Sequence, residues 1–143
     1  MVEIARSAFS FTRFHRDRRL GTEIGDLVKA AWVQNYFRGQ RGDGMLVAHM
    51  DDQVVGFLLY MRSATGDLDI DLIAVARHAT RQGVGQQLIL ALIDKLELKQ
   101  LVKVGTQACN IPSHNLYSGL GFQLMKTVNV LHFHADDPVE REA

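Results

Sequence analysis

The feature that most constrains the fold of this chain is a strand-like segment followed by two glycines at the start of a helix. The segment "DLDIDLIAV" (residues 67–75) alternates acidic and apolar residues, which is typical of a β-strand. Gly83 and Gly85 follow within "TRQGVGQQL" (residues 80–88), where an apolar stripe at helical spacing begins. Glycine is a poor helix former, so the pair predicts a backbone that turns tightly or lies close against a ligand.

The segments before this region predict the first part of a single α+β domain spanning residues 1–143. An extended piece is expected around "SAFSF" (residues 7–11). A helix is expected to begin at an N-cap, Thr22, and to end near Gly39. Its expected apolar stripe consists of Ile24, Leu27, Val28, Ala31 and Tyr36.

The sheet is predicted from the segments that follow. "MLVAHM" and "QVVGFLLYMRS" are separated by "DD", which predicts a hairpin. The next strand is expected to place Leu68, Ile70, Leu72 and Ala74 on one face and Asp67, Asp69 and Asp71 on the other. The helix after the glycines has an apolar stripe of Val84, Leu88, Ile89, Leu92, Ile93 and Leu96.

The last part of the chain predicts two further strand regions around a short helix. "LVKVGTQAC" predicts a strand, and "PSHNLYSGLGF" predicts a helix that starts at Pro112 and Ser113. "FQLMKTVNVLHFHA" predicts one or two closing strands. The apolar "VNVLHFH" within it favours sheet-edge pairing into a homodimer.

Composition excludes several classes of protein. Lysine plus arginine and aspartate plus glutamate each number 16, so the net charge is zero, which argues against a nucleic-acid partner. Cys109 is the only cysteine, so no disulfide can form within the chain. No run of roughly 18 apolar residues and no signal-peptide pattern is present, so no membrane partner is expected and the cytoplasm is the expected location. His132 and His134 alternate on one face of a terminal segment, but two ligands do not make a metal site, and none is expected.

Two familiar phosphate loops do not fit the glycine turn. A Walker loop needs a lysine and then a serine or threonine after its last glycine, whereas Gln86 and Gln87 follow Gly85. The dinucleotide fingerprint needs a third glycine where Leu88 stands. What fits is a helix N-terminus whose free N–H groups, with the charge of Arg81, suit an anion. A purely structural turn explains the glycines equally well.

Two motifs taken together resemble the GCN5-related N-acetyltransferase (GNAT) superfamily. "LIAVARHATRQGVGQQLI" is similar to the pyrophosphate loop of that family, Arg/Gln-x-x-Gly-x-Gly/Ala, and "NIPSHNLYSGLGF" is similar to its later Asn-x-x-(Ala/Ser)-x-x-Leu-Tyr-x-x-x-Gly-Phe segment. Residues 44–131 match in element order and in both motifs. The resemblance implies a mixed, mostly antiparallel sheet flanked by helices, with acetyl-CoA as the acyl donor. It departs at Thr80, which stands where the loop motif has its first Arg or Gln, and the neighbouring Arg81 would supply the cation.

The resemblance also implies roles for individual residues. Backbone groups of the central strand would bind the pantetheine arm at Ile73, Ala74 and Val75. The pyrophosphate would be held by Arg81, Gln82, Gly83, Val84, Gly85 and Gln86. Asn110 would contact the pantetheine or the acceptor. Tyr117 is protonated at neutral pH and would protonate the cofactor sulfur as a general acid. Asp71 or Asp69 would act as the base, directly or through water, although a solvated strand face explains both carboxylates equally well.

A narrower resemblance concerns the acceptor. "SFTRFHRDRRL" with "WVQNYFRG", and "VGTQACNIPSHNLYSGLGF" with "VNVLHFH", are similar to acetyltransferases of nucleotide-linked amino sugars of the dTDP-fucosamine type. This implies a small-molecule amine as the acceptor. The alternatives are acetylation of a protein N-terminus or lysine, which an acidic cleft would favour, and a non-catalytic coenzyme A binding module. Trp32, Tyr36 and Phe37 are expected in the core, with an acceptor pocket as the alternative.

Overall fold

The computed structural model describes residues 1–9, 12, 14, 20–97 and 99–131. In chain order the elements are helices α1 (Val2–Ala8) and α2 (Gly21–Phe37), strands β1 (Gly44–Met50), β2 (Gln53–Arg62) and β3 (Leu68–Val75), a 3-10 helix (Arg77–Ala79), helix α3 (Val84–Ile93), strand β4 (Val102–Val104) and helix α4 (Ile111–Gly119). The strands form a sheet in the order β1-β2-β3-β4, in which only the β3–β4 pair is parallel. The predicted α+β class and the mostly antiparallel sheet are confirmed.

Helices cover both faces of the sheet. The first core layer lies under α1 and α2, and its buried members are Ala5, Val33, Tyr36, Phe57, Leu59, Leu72 and Ala74. The second lies under α3 and α4, and its buried members are Leu58, Leu68, Ile70, Leu88, Ile89, Leu92 and Tyr117. Because both faces are covered, β2 is an almost unbroken apolar run rather than an alternating one.

The hairpin between β1 and β2 forms where it was predicted. Its two turn residues, Asp51 and Asp52, have φ values of 47° and 61°. Two consecutive left-handed residues give the turn whose twist matches that of antiparallel strands, and aspartate tolerates this conformation better than most residues.

The predicted alternation of β3 is wrong beyond Ile70, because the strand contains a bulge. Leu59 pairs with Leu72 and Tyr60 pairs with Ile70, so Asp71 has no partner on β2. An extra residue shifts the side-chain period by one. As a result Leu72 belongs to the core layer under α1 and α2, while Ile70 belongs to the layer under α3 and α4. Apolar residues stand at every second position on both sides of the bulge, so each core layer receives apolar side chains from β3. The alternation in the sequence therefore gives no sign of the bulge.

The N-terminal region differs from the prediction in two ways. Residues 7 and 8 are helical rather than extended, and Phe9 is the first extended residue, with φ of −111° and ψ of 123°. Residues 10 and 11 of the predicted extended piece lie outside the described residues. Helix α2 begins at Gly21 without a side-chain cap, so Thr22 lies in its first turn and is not the N-cap.

The apolar stripe predicted for α2 is only partly correct. Ile24 and Leu27 are exposed, and so is Phe37, which was expected in the core. The buried side of the helix consists of Gly25, Lys29, Ala30, Val33 and Tyr36. Periodicity failed here because a lysine takes a buried position, where its ammonium lies over the Trp32 ring at 3.9 Å from the centroid.

The prediction for the end of the chain is confirmed for the helices and for a strand in "LVKVGTQAC", and it is wrong for the closing strands within residues 122–131. Helix α3 buries Leu88, Ile89 and Leu92 of its predicted stripe. Strand β4 is limited to three residues, Val102–Val104. Residues 122–131 form no strand, since none of their backbone groups pairs with a described strand, and residues 132–135 lie outside the described residues.

Candidate active site

The candidate site lies where β3 and β4 separate. The two parallel strands pair only from Leu68 with Val102 to Ile70 with Val104, and β3 then continues to Val75 without β4 beside it. Backbone N–H and C=O groups along that part of the β3 edge are therefore open to a ligand. An extended ligand arm could bind there as a strand would.

A cavity of about 310 Å³ lies beside this part of β3. It is lined by Ala8, Phe9, Thr12, Ile73, Ala74, Val75, Thr80, Gln107, Asn110, Pro112 and Ser113. Of the residues predicted to bind the cofactor, Ile73, Ala74, Val75 and Asn110 therefore come together in one place. Among the described residues that line it there is no aspartate, glutamate, lysine or arginine. Sequence reasoning did not identify Gln107, or Ala8, Phe9 and Thr12 near the N-terminus, as site residues.

The glycine turn has the geometry of an anion site. Gly83 is the N-cap of α3 and has a φ of 80°, and Arg81 also has a positive φ, of 62°. The first helical hydrogen bond runs from the Gln87 N–H to the Gly83 carbonyl at 3.0 Å. Within the described chain, the N–H groups of Val84, Gly85 and Gln86 have no partner, so they and the helix dipole favour a bound anion.

Gly85 ties this turn to the rest of the site. A Cβ at Gly85 would lie 3.5 Å from Leu116 Cδ2 on α4 and 3.9 Å from Val75 Cγ2 on β3. The start of α3, the end of β3 and the middle of α4 therefore meet at one point. By contrast, the Gln82 amide donates to the His78 carbonyl at 3.0 Å, so this side chain serves the turn itself.

The cavity is bounded on another side by the N-terminus of α4. Asn110 is its N-cap, and the Asn110 Oδ1 accepts a hydrogen bond from the Ser113 N–H at 3.3 Å. The side-chain nitrogen is then the atom left to donate to a ligand. His114 Nε2 lies 3.2 Å from the Gln107 carbonyl and so fixes the loop before the helix.

Tyr117 is buried against the second core layer. Its ring lies 5.4 Å from that of Phe122, and burial raises the pKa of Tyr117 to about 12. No hydrogen-bond partner for its hydroxyl exists among the described residues. Tyr117 is four residues after Ser113, so both side chains lie on the same face of α4. Tyr117 itself does not line the cavity.

The two carboxylates predicted as bases have different surroundings. Asp71 accepts two hydrogen bonds of 2.6 Å from Arg41 and one of 2.9 Å from the Tyr36 hydroxyl. Its side chain is only 6% exposed. Asp69 forms no ion pair with a described residue, and it pairs in register with Lys103 on β4. Neither carboxylate lines the cavity.

Arg41 and Tyr36 form a network around Asp71 that sequence reasoning did not identify. The Arg41 guanidinium also stacks on the Trp32 ring, 4.4 Å from its centroid. The hydrogen bond with Asp71 raises the pKa of Arg41, while burial and the neighbouring carboxylate raise the pKa of Tyr36. Trp32 is half-buried, packs against the first core layer and also borders this network. Its indole N–H is buried and finds no hydrogen-bond partner among the described residues.

The described part of the chain contains neither a metal-binding cluster nor a membrane-spanning helix. No group of three histidine, cysteine, aspartate or glutamate side chains there could hold a metal ion. The same residues include no helix long and apolar enough to cross a membrane. Cys109 is exposed.

Comparison with known proteins settles the family. The model of the acetyltransferase (GNAT) family matches residues 3–122. The chain belongs to the GNAT family. It is an acetyl-CoA-dependent N-acetyltransferase, and the open edge of β3 and the free N–H groups of α3 suit the pantetheine arm and the pyrophosphate of that donor.

Solved structures of GNAT enzymes share the fold. The ribosomal-protein-S18-alanine N-acetyltransferase of Escherichia coli is 22% identical, with a TM-score of 0.62 over 87% of this chain and 70% of that one. The aminoglycoside antibiotic 6'-N-acetyltransferase of Acinetobacter haemolyticus is 17% identical, with a TM-score of 0.59 over 94% and 90%. An aminoglycoside N-acetyltransferase in complex with CoA is also 17% identical, with a TM-score of 0.57 over 73% and 87%. No curated protein matches this sequence at a significant level.

Proposed function

We propose that this GNAT enzyme transfers the acetyl group of acetyl-CoA to the primary amine of a small molecule, and that residues 1–143 form one acetyltransferase domain. The observation that carries the proposal is the cavity at the split between β3 and β4. Its volume of about 310 Å³ lies at the small end of the usual range for small-molecule sites, and the pantetheine arm is proposed to take up part of it, so the remaining space suits a small amine. The described residues of its lining include no carboxylate that would attract a basic peptide. The acceptor class we propose is a nucleotide-linked amino sugar.

We propose that two parts of the backbone hold the donor. Residues 73–75 of β3 bind the pantetheine arm by strand-like hydrogen bonds, and the N–H groups around residues 82–86 bind the pyrophosphate. Arg81 supplies the positive charge beside them, and Asn110 donates from its side-chain nitrogen. The arrangement is supported by the free β3 edge and by the uncapped start of α3.

Acetyl-CoA supplies a thioester carbonyl that is open to attack by an amine. Tyr117 is proposed as the general acid, which donates the proton on its hydroxyl to the sulfur as that bond breaks. The pKa of about 12 keeps this proton in place throughout the neutral range. The absence of a described partner for the hydroxyl leaves it free to donate.

The general base is proposed to be Asp69 or Asp71, acting through water. Asp69 is the more available of the two, since Arg41 and Tyr36 occupy both oxygens of Asp71. Asp69→Asn and Asp71→Asn, compared by the pH dependence of kcat/KM, distinguish them. The true base is the residue whose loss abolishes the acid limb of that profile.

The first test is binding of acetyl-CoA measured by calorimetry, with ATP as the ligand control. Gly83→Glu places a carboxylate where the pyrophosphate is proposed to bind, and binding should be lost. Gly39→Glu is the matched control, because Gly39 also has a positive φ and open space around its Cα but lies at the end of α2. Equal loss in both variants, or no binding by the wild type, would contradict the proposed donor site.

The second test is turnover with different acceptors. Nucleotide-linked amino sugars are compared with peptides that carry a free N-terminus or a lysine, by release of free CoA thiol. Faster acetylation of the peptides would show that the acceptor is a protein and not a small molecule. Binding of acetyl-CoA without turnover on any amine would favour a coenzyme A binding module.

A further inference from the structure

The cavity at the split between β3 and β4 is lined by two chemically different groups of residues. The group from the N-terminal region and β3 is largely apolar, and its apolar members are Ala8, Phe9, Ile73, Ala74 and Val75. The group between the end of β4 and the first turn of α4 contributes the polar residues Gln107, Asn110 and Ser113, all of them half-buried, which we call the polar wall. The polar wall carries no charge, so it suits a ligand group that is polar and neutral.

The side chains of the polar wall are only partly used within the protein. The Gln107 amide and the Ser113 hydroxyl form no hydrogen bond with a described residue. Asn110 accepts from the Ser113 N–H through its Oδ1, which leaves its nitrogen. By comparison, the Thr80 hydroxyl on the other side of the lining already donates to the Arg77 carbonyl at 2.8 Å. Gln107 therefore brings two unused N–H donors and one unused acceptor oxygen to the cavity.

The main chain of Gln107 is held in place while its side chain is unused. The Gln107 carbonyl accepts from the Asn110 N–H at 2.9 Å, and His114 Nε2 lies 3.2 Å from the same oxygen. Glutamines that serve their own loops behave differently, since the amides of Gln82 and Gln100 each bond to a nearby main-chain group. A polar side chain on a fixed main chain loses little entropy when a ligand binds, so this arrangement is typical of a binding position.

The inference drawn from Gln107 rests on the proposed function, which assigns other polar groups of the site to the donor. There, residues 73–75 hold the pantetheine arm through the main chain, and the Asn110 nitrogen donates to it. Gln107 and Ser113 are the members of the polar wall that remain for the acceptor. Ser113 lies one turn before Tyr117, the proposed acid, on the same face of α4, so the polar wall borders the place where the amine must meet the thioester.

We propose that Gln107 is a specificity-determining residue that binds a hydroxyl group next to the amine of the acceptor. A hydroxyl matches the amide because it can donate to Oε1 and accept from Nε2. A carboxylate or phosphate at this point would find no counter-charge among the described residues of the lining. Bound substrate excludes water from the amide, so an acceptor without the hydroxyl leaves the amide unpaired. The preferred acceptors are therefore amino alcohols, of which an amino sugar is one kind.

The test compares two acceptors in steady-state kinetics with acetyl-CoA. One is a dTDP-linked amino sugar with a hydroxyl on the carbon next to the amine, and the other is its counterpart that lacks this hydroxyl. The wild type should acetylate the first with a kcat/KM about 10-fold higher, as expected for one neutral hydrogen bond. Gln107→Met keeps the length of the side chain and removes the amide. It should lower kcat/KM about 10-fold on the first acceptor and leave that on the second unchanged.

Gln53→Met is the matched control for this substitution. Gln53 is exposed at the start of β2, and its side chain also forms no hydrogen bond with a described residue. The control should keep the preference of the wild type for the hydroxylated acceptor. The Kd of acetyl-CoA, measured by calorimetry, should be unchanged in Gln107→Met, which also shows that the variant is folded.

Two results would overturn the role of Gln107 while the proposed function stands. One is an equal kcat/KM of the wild type on both acceptors, a measurement that needs no variant and so does not depend on the folding of Gln107→Met. The other is a preference for the hydroxylated acceptor that Gln107→Met retains. A wild type that binds acetyl-CoA but acetylates neither amino sugar would instead contradict the proposed acceptor, and the role of Gln107 with it.

Discussion

Because the Asp71 carboxylate is buried, substitution of its partner Arg41 should lower the free energy of unfolding more than substitution of most other solvent-accessible residues. Arg41→Met removes the guanidinium that donates both 2.6 Å hydrogen bonds to Asp71, and leaves only the Tyr36 hydroxyl. Removal of one partner of a buried ion pair costs about 3–5 kcal/mol because the other charge stays buried. The Arg41 side chain is 33% exposed, so water can replace part of the interaction. We expect the free energy of unfolding to fall by about 2–4 kcal/mol.

A double-mutant cycle separates the ion pair from other effects of the substitution. Asp71→Asn in the Arg41→Met background removes the orphaned charge, so the pair of substitutions should cost at least about 1.5 kcal/mol less than the sum of the two single ones. Urea unfolding followed by circular dichroism gives all four free energies. Arg38→Met is the control, since Arg38 is exposed at the end of α2 and forms no ion pair with a described residue. It should change stability by less than about 0.5 kcal/mol.

The reasoning is refuted if Arg41→Met lowers the free energy of unfolding no more than Arg38→Met does. It is also refuted if the effects of Arg41→Met and Asp71→Asn simply add in the double variant. Either result would mean that water solvates Asp71 well enough without the guanidinium. The same variants also test the site, because Asp71 is the bulge residue and precedes the part of β3 that lines the cavity. A displaced bulge should raise the KM for acetyl-CoA more than it lowers kcat.

Three further outcomes are expected. Gly83→Ala should cost about 1 kcal/mol in urea unfolding because of the positive φ, whereas Gly85→Ala, whose Cβ meets ordinary contacts, should be tolerated. The Lys103 hydrogen bond lowers the pKa of Asp67, so the stabilisation from the ionised carboxylate is present above the unfolded pKa of Asp67 and is lost as the pH falls. In Asp67→Asn the urea midpoint should therefore fall less steeply than in the wild type as the pH is lowered. Burial raises the pKa of Tyr117 to about 12, so stability should fall as the pH rises above about 10, and Tyr117→Phe should reduce that fall and lower kcat about 100-fold at neutral pH.

Local patterns in the sequence were sufficient to predict the elements whose stabilising contacts lie within a few residues along the chain. The "DD" hairpin, the stripe of α3 and the helix after Asn110 all depend on contacts within a few residues. Asn110 and residues 73–75, which the two motifs mark, line one cavity at the split between β3 and β4, and their binding of the cofactor stays a prediction.

The failures arise where a distant contact decides the local structure. The bulge at Asp71 is stabilised by Arg41 and Tyr36, which are 30 and 35 residues away, and nothing in "DLDIDLIAV" shows it. The burial of Lys29 in α2 depends in the same way on the Trp32 ring. The closing strands failed for another reason, since residues 122–131 have strand-like composition but pair with no described strand.

The bulge also has a consequence for how such an enzyme can evolve. Leu68 and Ile70 in the first half of β3 pack under α3 and α4, whereas Leu72 and Ala74 in the half that borders the cavity pack under α1 and α2. Mutations that repack the N-terminal helices can therefore reshape the side of the cavity next to Leu72 and Ala74 while the layer of Leu68 and Ile70 under α3 keeps its packing. Strand β3 thus lies between a layer under α1 and α2 that can change in evolution and a layer under α3 and α4 that must be preserved.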